Sequence, residues 1–293
     1  MNFISSVDVP GVAAAYEAQV RQICHGRFPP ALRLEDRLDP QRWALEWQLA
    51  VWLGEALGID PETRRQITLS SILGLVSIRL VDDIADGDLA DEFGGLAAAL
   101  LDTALTPYRE RFPPGSEFWA GVERYMTTWR QAIAQPADRG AQALSARGAP
   151  LKIPALAICL IAGRGRDVSS IEEMLDHALV AMVLYDHVVD WRDDIAGPWN
   201  AFVEHTLGTN AAVSERSMTV ALLTGSSIPR YFARIELELS SAADIAGRLR
   251  ITGLRRHLAR LRTQLGEQGR DLMARYSEFA ARGQELLFGH QIS

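Results

Sequence analysis

Cysteines are few in this sequence, and it contains no long hydrophobic run. Its two cysteines, Cys24 and Cys159, stand in apolar surroundings without a CxxC or Cys/His spacing, which predicts reduced core thiols rather than a disulfide framework or a zinc site. The longest uncharged apolar stretch, 153–163, is about half the roughly 20 residues that a membrane span needs. The chain starts without a basic segment followed by an apolar run, so no export signal is predicted. A soluble, cytoplasmic protein is expected.

Signals for β-strands and for polyanion binding are also scarce. Alternating β-branched residues are rare, and no Asn-Gly or Asp-Gly turn separates two such runs, so a sheet is not expected. The net charge is −7, and the arginines are scattered rather than gathered into a patch. Neither nucleic acid nor an anionic membrane is therefore expected as a partner.

Helix signals, by contrast, occur along the whole chain. Asp60-Pro61 places an N-cap acid before a proline at the first helical position, and Gly58 and Gly87 stand where helices would end. A chain of 293 residues is long enough for one large domain or two modest ones. We predict an all-α fold in which residues 1–293 form a single-domain helical bundle, with a loop at 107–115. The predicted helices are, approximately, 9–25, 40–57, 61–86, 89–106, 116–134, 140–162, 170–195, 199–207, 213–223, 229–249 and 252–287.

The first acidic cluster stands at the end of the predicted helix 61–86. Positions three and four apart share one face of a helix, so Asp82, Asp83 and Asp86 continue the apolar stripe of the residues before them. A solvated helix end would also explain aspartates before a glycine. However, like charges on one face at the C-terminal end of a helix repel one another and oppose the helix dipole. We therefore expect a cation to compensate them.

A second acidic cluster repeats this arrangement. The apolar stripe from Leu175 to Met182 runs into Asp186, Asp190 and Asp194, again at the end of a long predicted helix. Two independent solvated helix ends are the alternative. We expect instead that the two acidic ends face each other across an apolar hollow and share one phosphate ligand through divalent ions.

Carboxylates without a nearby cysteine suit Mg²⁺, which keeps several waters and bridges protein carboxylates to substrate phosphates. A diphosphate bound in this way becomes a leaving group without proton transfer. Its departure leaves a carbocation, which an apolar interior protects from water and aromatic faces stabilise. Candidate aromatic residues are Trp43, Trp47, Trp52 and Tyr185, although aromatic residues at helical spacing are also ordinary core residues.

The two clusters resemble the motifs of the class I isoprenoid synthases, which include the trans-prenyltransferases and the terpene cyclases. Asp82-Asp83-Ile84-Ala85-Asp86 is similar to their first motif, DDxxD, and Asp186-His187-Val188-Val189-Asp190 to their second, with histidine in place of its second aspartate. With Asp194, the second cluster also resembles the metal-binding Asn/Ser/Glu triad of bacterial cyclases. Residues 75–83 resemble short bacterial members such as the prenyltransferase of the moenomycin pathway. The resemblance covers about residues 40–205.

This resemblance implies an isoprenoid synthase fold with a central apolar cavity. It also implies Mg²⁺ as the cofactor, with three ions bound together with the diphosphate of a prenyl diphosphate substrate. Catalysis is assigned to Asp82, Asp83, Asp86, Asp186 and Asp190, and metal binding to the same residues with Asp194.

Further residues match diphosphate-binding positions of the family. Lys152, the only lysine of the chain, lies in the region of the family's diphosphate-binding lysine and is preceded by Arg147. Arg275 and Tyr276 are similar to the Arg-Tyr pair by which cyclases contact the diphosphate. An exposed arginine and a packed tyrosine would explain that dipeptide equally well.

Three residues are assigned to the substrate pocket. Ser77 and Ile78 stand one turn before the first motif, where elongating members of the family set the floor of the pocket. Neither is a large aromatic residue, so a deep pocket for a prenyl chain is expected. Tyr185, beside the second motif, is the third pocket residue.

The sequence departs from the chain-elongating members of the family. The segment that would hold isopentenyl diphosphate is not evident, and Leu89-Ala90-Asp91-Glu92 replaces the arginine pair that usually follows DDxxD. Without those cations a second diphosphate would bind poorly. The resemblance therefore favours a terpene synthase that ionises an allylic prenyl diphosphate of about 15 to 20 carbons and cyclises the resulting cation.

Three alternatives stay open. The first is a prenyltransferase that couples an allylic diphosphate to an isoprenoid or another acceptor. The second is a non-catalytic helical scaffold of the same fold, because the imidazole of His187 is a poorer Mg²⁺ ligand than a carboxylate. The third, a carboxylate di-iron bundle, would need paired Glu-x-x-His elements, which the sequence does not contain. A monomer and a homodimer are both compatible with the sequence.

Overall fold

The computed structural model of the chain describes residues 8–34, 38–39, 43–85, 87–134, 139–196, 199–209, 213–224 and 227–288, and at Ala196 and 280–288 it describes the backbone alone. These residues form twelve α-helices, with short 3-10 segments and no β-strand, so the all-α prediction is confirmed. None of these helices is long and apolar enough to span a bilayer. The helices are α1 (Val9–Ile23), α2 (Ala44–Ala56), α3 (Pro61–Ala85), α4 (Gly94–Arg111), α5 (Glu117–Ala134), α6 (Ala141–Ala146), α7 (Lys152–Ile161), α8 (Val168–Val189), α9 (Ala201–Leu207), α10 (Glu215–Thr224), α11 (Ser227–Arg248) and α12 (Thr252–Phe288).

The chain divides into two compact units. The first unit comprises Met1–Thr127, Ala149–Ile171 and Arg250–Leu254, and the second comprises Thr128–Gly148, Glu172–Leu249 and Arg255–Ser293. Helices α5, α8 and α12 therefore contribute residues to both units. The organisation of residues 1–293 as a single domain stays a prediction.

Helix α3 is the central helix of the first unit. It packs against α1, α2, α4 and α7, and Val76 and Leu80 on its apolar stripe are fully buried. Its first turn begins as predicted, because Asp60 is the N-cap and its Oδ1 accepts a hydrogen bond of 2.9 Å from the N–H of Thr63. The predicted apolar stripe thus leads from the core toward the acidic end of the helix.

Helix α3 stops directly after its acidic residues in a cap that depends on glycine. Gly87 has a φ of 81°, which glycine adopts without the strain that a Cβ would cause. The N–H of Asp88 donates to the C=O of Asp83 (2.9 Å), and the N–H of Gly87 donates to the C=O of Ile84 (3.2 Å). This is the Schellman pattern, so the predicted helix stop at Gly87 is confirmed.

In the second unit, α9 packs against both α10 and α11. The apolar face of α11 is buried, including Tyr231 and Leu239. The hydroxyl of Tyr231 donates to the backbone C=O of Leu184 on α8 (3.1 Å), and His177 Nδ1 of α8 lies 2.6 Å from Glu238 Oε2 of α11. Helix α8 is therefore tied to α11 by two polar contacts.

Several predicted boundaries differ from the structure, and two of the differences involve prolines. The predicted helix 140–162 is interrupted between α6 and α7, where Pro150 has no N–H to donate to a helical hydrogen bond. The predicted loop 107–115 is helical as far as Arg111, although α4 then contains Pro107. Ala104 and Tyr108 on either side of this proline are buried, so tertiary packing against α3 outweighs the local cost of the proline.

Replacing Gly87 with alanine should destabilise the fold by about 1 kcal/mol, because a Cβ is disfavoured at positive φ. Gly94→Ala is the matched control: neither glycine has an atom close to its missing Cβ, but Gly94 has a φ of −59°. Urea unfolding followed by circular dichroism measures both variants. Equal stabilities for the two variants would contradict the role assigned to the cap.

Candidate functional site

The acidic end of α3 lies at the edge of the first unit's core. Asp82 and Asp83 are half-buried in the last turn of the helix, directly after the fully buried Leu80. Asp86 lies outside the described residues. The carboxylates of Asp82 and Asp83 thus continue the apolar stripe, as predicted, rather than standing fully in solvent.

Arg79 lies one turn before these aspartates and was not singled out from the sequence. Its Cζ is 3.7 Å from the centroid of the Trp43 ring, which is a cation–π contact. Residues three and four apart on a helix are neighbours, so Arg79 places a positive charge on the side of α3 that carries Asp82 and Asp83. The spacing of three and four residues between Arg79 and the paired aspartates is the sequence pattern that could have identified this arginine.

The tryptophans near the start of the first unit serve packing. The face of Trp43 is occupied by Arg79, and the buried indole N–H of Trp47 donates to the C=O of Leu38 (2.8 Å). The ring of Trp52 packs so closely on Gly253 that a Cβ there would overlap it. These three residues are not among those that line the cavities described below.

A cavity of about 30 Å³ lies in the first unit and has room for about one water molecule. Ile78, assigned to the pocket from the sequence, lines it together with Tyr108, whose pKa is raised to about 12 by burial. Ser77 is not a lining residue, because its side chain turns toward α4 and its hydroxyl donates to the C=O of Ala97 (2.7 Å).

Lys152, predicted to bind the diphosphate, is half-buried at the first position of α7.

The second acidic cluster begins in the last turn of α8, in the second unit. Asp186 and Asp190 are exposed and Asp194 is half-buried. The helix ends at Val189 rather than at the predicted 195. Even so, the N–H of Asp190 donates to the C=O of Asp186 and the N–H of Asp194 to that of Asp190, both at 2.9 Å. The helical spacing predicted for the three aspartates therefore persists through the turn.

Asn200 joins the end of α8 to the start of α9. It is 1% exposed, and its Oδ1 caps α9 by accepting from the N–H groups of Phe202 and Val203. Its Nδ2 donates to the backbone C=O of His187 (2.9 Å) and to Asp194 Oδ2 (2.8 Å). The C=O of His187 would accept a backbone hydrogen bond if the helix continued, but it accepts from the Asn200 amide instead. This is a physical reason for the early end of α8. No sequence motif pointed to Asn200.

The side chain of His187 is structural. It is 6% exposed, it packs edge-on against Trp199, and its Nδ1 accepts from the N–H of Ala201 (3.2 Å). Burial, reinforced by the positive charge of Arg147 and opposed by Asp194, lowers the pKa of His187 to about 4. The imidazole is therefore neutral at neutral pH and lies inside the unit, whereas Asp186 and Asp190 are exposed.

Arg147 belongs to the same junction. It is half-buried, and burial lowers the pKa of its guanidinium below the usual value of an arginine. The negative charge of Asp194 offsets part of this shift. The adjacent Gly148 lies so close to Leu179 of α8 that a Cβ there would overlap the leucine side chain. The structure thus brings Arg147 and Asp194, two sequence-predicted residues, into one electrostatic group.

A larger cavity, of about 280 Å³, opens beside the end of α8 in the second unit. Its wall is about equally polar and apolar, with aliphatic contributions from α8 and α12. Five aromatic residues line it: Tyr185, Trp191, Phe202, Phe232 and Tyr276.

Polar groups line the same cavity at four positions, Arg192, Gln268, Asp271 and Arg275. Tyr185 and the Arg275-Tyr276 pair, which were predicted separately from the sequence, therefore meet at one cavity. Arg275 makes no hydrogen bond or ion pair within the described part of the chain. Arg192 and the aromatic residues of α9 and α11 were not predicted, because only the fold brings them to this wall.

Within the described residues of either unit, no three His, Cys, Asp or Glu side chains form a group that could hold a metal ion. Mg²⁺ needs only one or two protein carboxylates when substrate phosphates complete its coordination. The mutual facing of the two acidic helix ends stays a prediction.

Comparisons with protein-family models, with curated proteins and with solved structures found no match to this chain.

The buried His187 predicts a loss of stability in mild acid. In the unfolded chain the imidazole has a pKa of about 6.5, against about 4 in the folded protein, so below pH 6.5 the unfolded state binds the extra proton. As the pH falls from about 7 to about 5, His187 should therefore lower the free energy of unfolding by about 2 kcal/mol. Above about pH 7 it should have no effect on stability.

His187→Asn keeps a hydrogen-bond acceptor near Ala201 but has no titrating ring. Urea unfolding at a series of pH values, with a chelator present, should show a shallower pH dependence for this variant than for the wild type. Parallel curves for the two proteins would contradict the assignment.

Proposed function

We propose that the chain is a Mg²⁺-dependent class I terpene synthase with an isoprenoid synthase fold. It would ionise an allylic prenyl diphosphate of about 15 to 20 carbons in an apolar cavity and cyclise the carbocation. The observation that carries the proposal is the meeting of Tyr185, Arg275 and Tyr276 at one aromatic cavity beside the acidic end of α8.

The acidic side chains suit magnesium. Each motif offers carboxylate oxygens, which Mg²⁺ prefers, and the exposed Asp186 and Asp190 are accessible to a hydrated ion. The buried His187 takes no part in this surface. Bound Mg²⁺ would supply Lewis-acid neutralisation of the diphosphate leaving group. The residues proposed to hold the ions are Asp82, Asp83, Asp86, Asp186, Asp190 and Asp194.

Basic side chains would bind the diphosphate directly. The guanidinium of Arg275 lines the cavity, and guanidinium groups bind phosphate oxygens in a bidentate manner. Tyr276 would donate a hydrogen bond beside it. Arg147 and Lys152 are assigned the same role by the family resemblance. These groups would hold the diphosphate before and after the carbon–oxygen bond breaks.

The cavity wall would control what happens to the carbocation. Aromatic rings exclude water and offer negative faces to a positive charge. Tyr185, Trp191, Phe202 and Phe232 provide such rings. An aromatic wall of this kind favours an enzyme over the non-catalytic scaffold. The argument for a scaffold was that His187 is a poor Mg²⁺ ligand, and the burial of its side chain weakens that argument.

Cyclisation is favoured over chain elongation. The segment after the first motif contains Asp91 and Glu92, both exposed in a 3-10 turn. Two carboxylates at this position would repel a second diphosphate rather than bind it. Coupling to an uncharged acceptor stays open as the second function.

Incubation with Mg²⁺ and geranyl, farnesyl or geranylgeranyl diphosphate, with and without isopentenyl diphosphate, tests the reaction class. A hydrocarbon or alcohol formed from a single substrate is the expected result. Longer diphosphates formed only in the presence of isopentenyl diphosphate would instead identify a prenyltransferase, and an absence of turnover with every substrate would identify a scaffold.

Asp82→Asn should reduce turnover at least about a hundredfold, because it removes a ligand of the ion that stabilises the leaving group. Asp88→Asn is the control, since Asp88 is an exposed aspartate just beyond the motif. Product formation is measured by gas chromatography, and circular dichroism checks the fold. Turnover by Asp82→Asn equal to that of Asp88→Asn would refute the site.

Arg275→Gln should raise the KM for the prenyl diphosphate about tenfold, since a charge-assisted contact to phosphate is lost. The control is Arg270→Gln, an exposed arginine of α12 that does not line the cavity. Steady-state kinetics compares the two variants. An unchanged KM in Arg275→Gln would remove the cavity from the proposal.

A further inference from the structure

Arg192 occupies a distinctive place at the wall of the second unit's cavity. It follows Trp191 in the turn after α8, and its Cζ lies 4.5 Å from the centroid of the Trp191 ring. Its Nε donates to Glu215 Oε1 of α10 at 2.9 Å. Within the described residues, its Nη1 and Nη2 make no hydrogen bond. Glu215 therefore holds the guanidinium through Nε alone, and one hydrogen bond has to break before the whole group can turn toward an anion.

The ion pair that holds Arg192 is weak. The side chains of Arg192 and Glu215 are 59% and 63% exposed, and ion pairs between exposed side chains contribute little to stability because water and salt screen them. A ligand with several negative charges would compete successfully for this guanidinium.

A second guanidinium lines the same cavity. Arg275 contributes its positive charge to the wall, and the only carboxylate among the lining residues in the described part of the chain is that of Asp271. Two guanidinium groups at one cavity attract an anion that carries charge on more than one oxygen. A diphosphate group has this chemistry.

We propose that Arg192 is a second anion-binding arginine of this cavity and that Glu215 restrains it until a diphosphate group binds. On binding, the guanidinium exchanges the carboxylate of Glu215 for phosphate oxygens. The identity of the anion as a diphosphate rests on the proposed function. The exchange makes Glu215 a negative regulator of affinity, which a merely structural ion pair would not be.

Calorimetric titration with inorganic pyrophosphate in the presence of Mg²⁺ tests this exchange. Arg192→Gln should raise the Kd about tenfold, because charge-assisted hydrogen bonds are lost. Glu215→Gln should lower the Kd about threefold, because the competing carboxylate is gone. In the Arg192→Gln background, Glu215→Gln should have no further effect. Asp193→Asn is the control for charge alone, since it removes an adjacent exposed carboxylate and should change the Kd much less.

The outcomes separate this inference from the proposed function. Binding by the wild type with an unchanged Kd in Arg192→Gln overturns the role of Arg192 alone. Tightening by Glu215→Gln that persists in the Arg192→Gln background also overturns it, because the effect would then be general electrostatics. No pyrophosphate binding by the wild-type chain overturns both the inference and the proposed diphosphate site.

Discussion

The candidate site depends on one electrostatic constraint: carboxylates are gathered at the C-terminal ends of two helices and need positive charge or hydrogen-bond donors beside them. At such an end the carboxylates repel one another and oppose the helix dipole. On α3 the cluster adjoins Arg79, which Trp43 holds by a cation–π contact. On α8 the half-buried Asp194 is stabilised by the Asn200 amide and by the charge of Arg147. The exposed Asp186 and Asp190 are the positions best suited to a hydrated cation.

The second unit places a hydrogen-bonded junction beside a cavity. The buried amide of Asn200 ends α8, begins α9 and binds Asp194. Hydrogen bonds inside a protein are strong, and their loss is costly. The cavity beside this junction has aromatic walls and arginines in more exposed positions. A hydrogen-bonded acidic end next to exposed cationic side chains would suit the proposed ligand, whose charged head would be bound while its apolar part lies against the aromatic wall.

The sequence predicted the helices well because their signals are local. The caps at Asp60 and Gly87 and the apolar stripe of α3 depend on residues within a few positions. Residues that act through tertiary structure were missed: Asn200 and Arg192 belong to no periodic pattern, and only the junction after α8 gives them partners. Packing likewise overrode the proline signal in α4. For the site, the sequence named Tyr185, Arg275 and Tyr276, but only the fold shows that they share a cavity.

The central claim is that both acidic clusters hold one diphosphate through magnesium ions. Calorimetric titration of Mg²⁺ and inorganic pyrophosphate into the wild type, Asp82→Asn and Asp190→Asn measures how many pyrophosphates bind and which cluster they need. The expected result is one pyrophosphate per chain, with binding lost in each variant. Two pyrophosphates per chain, or full binding in either variant, would contradict the claim, because the clusters would then act as separate sites.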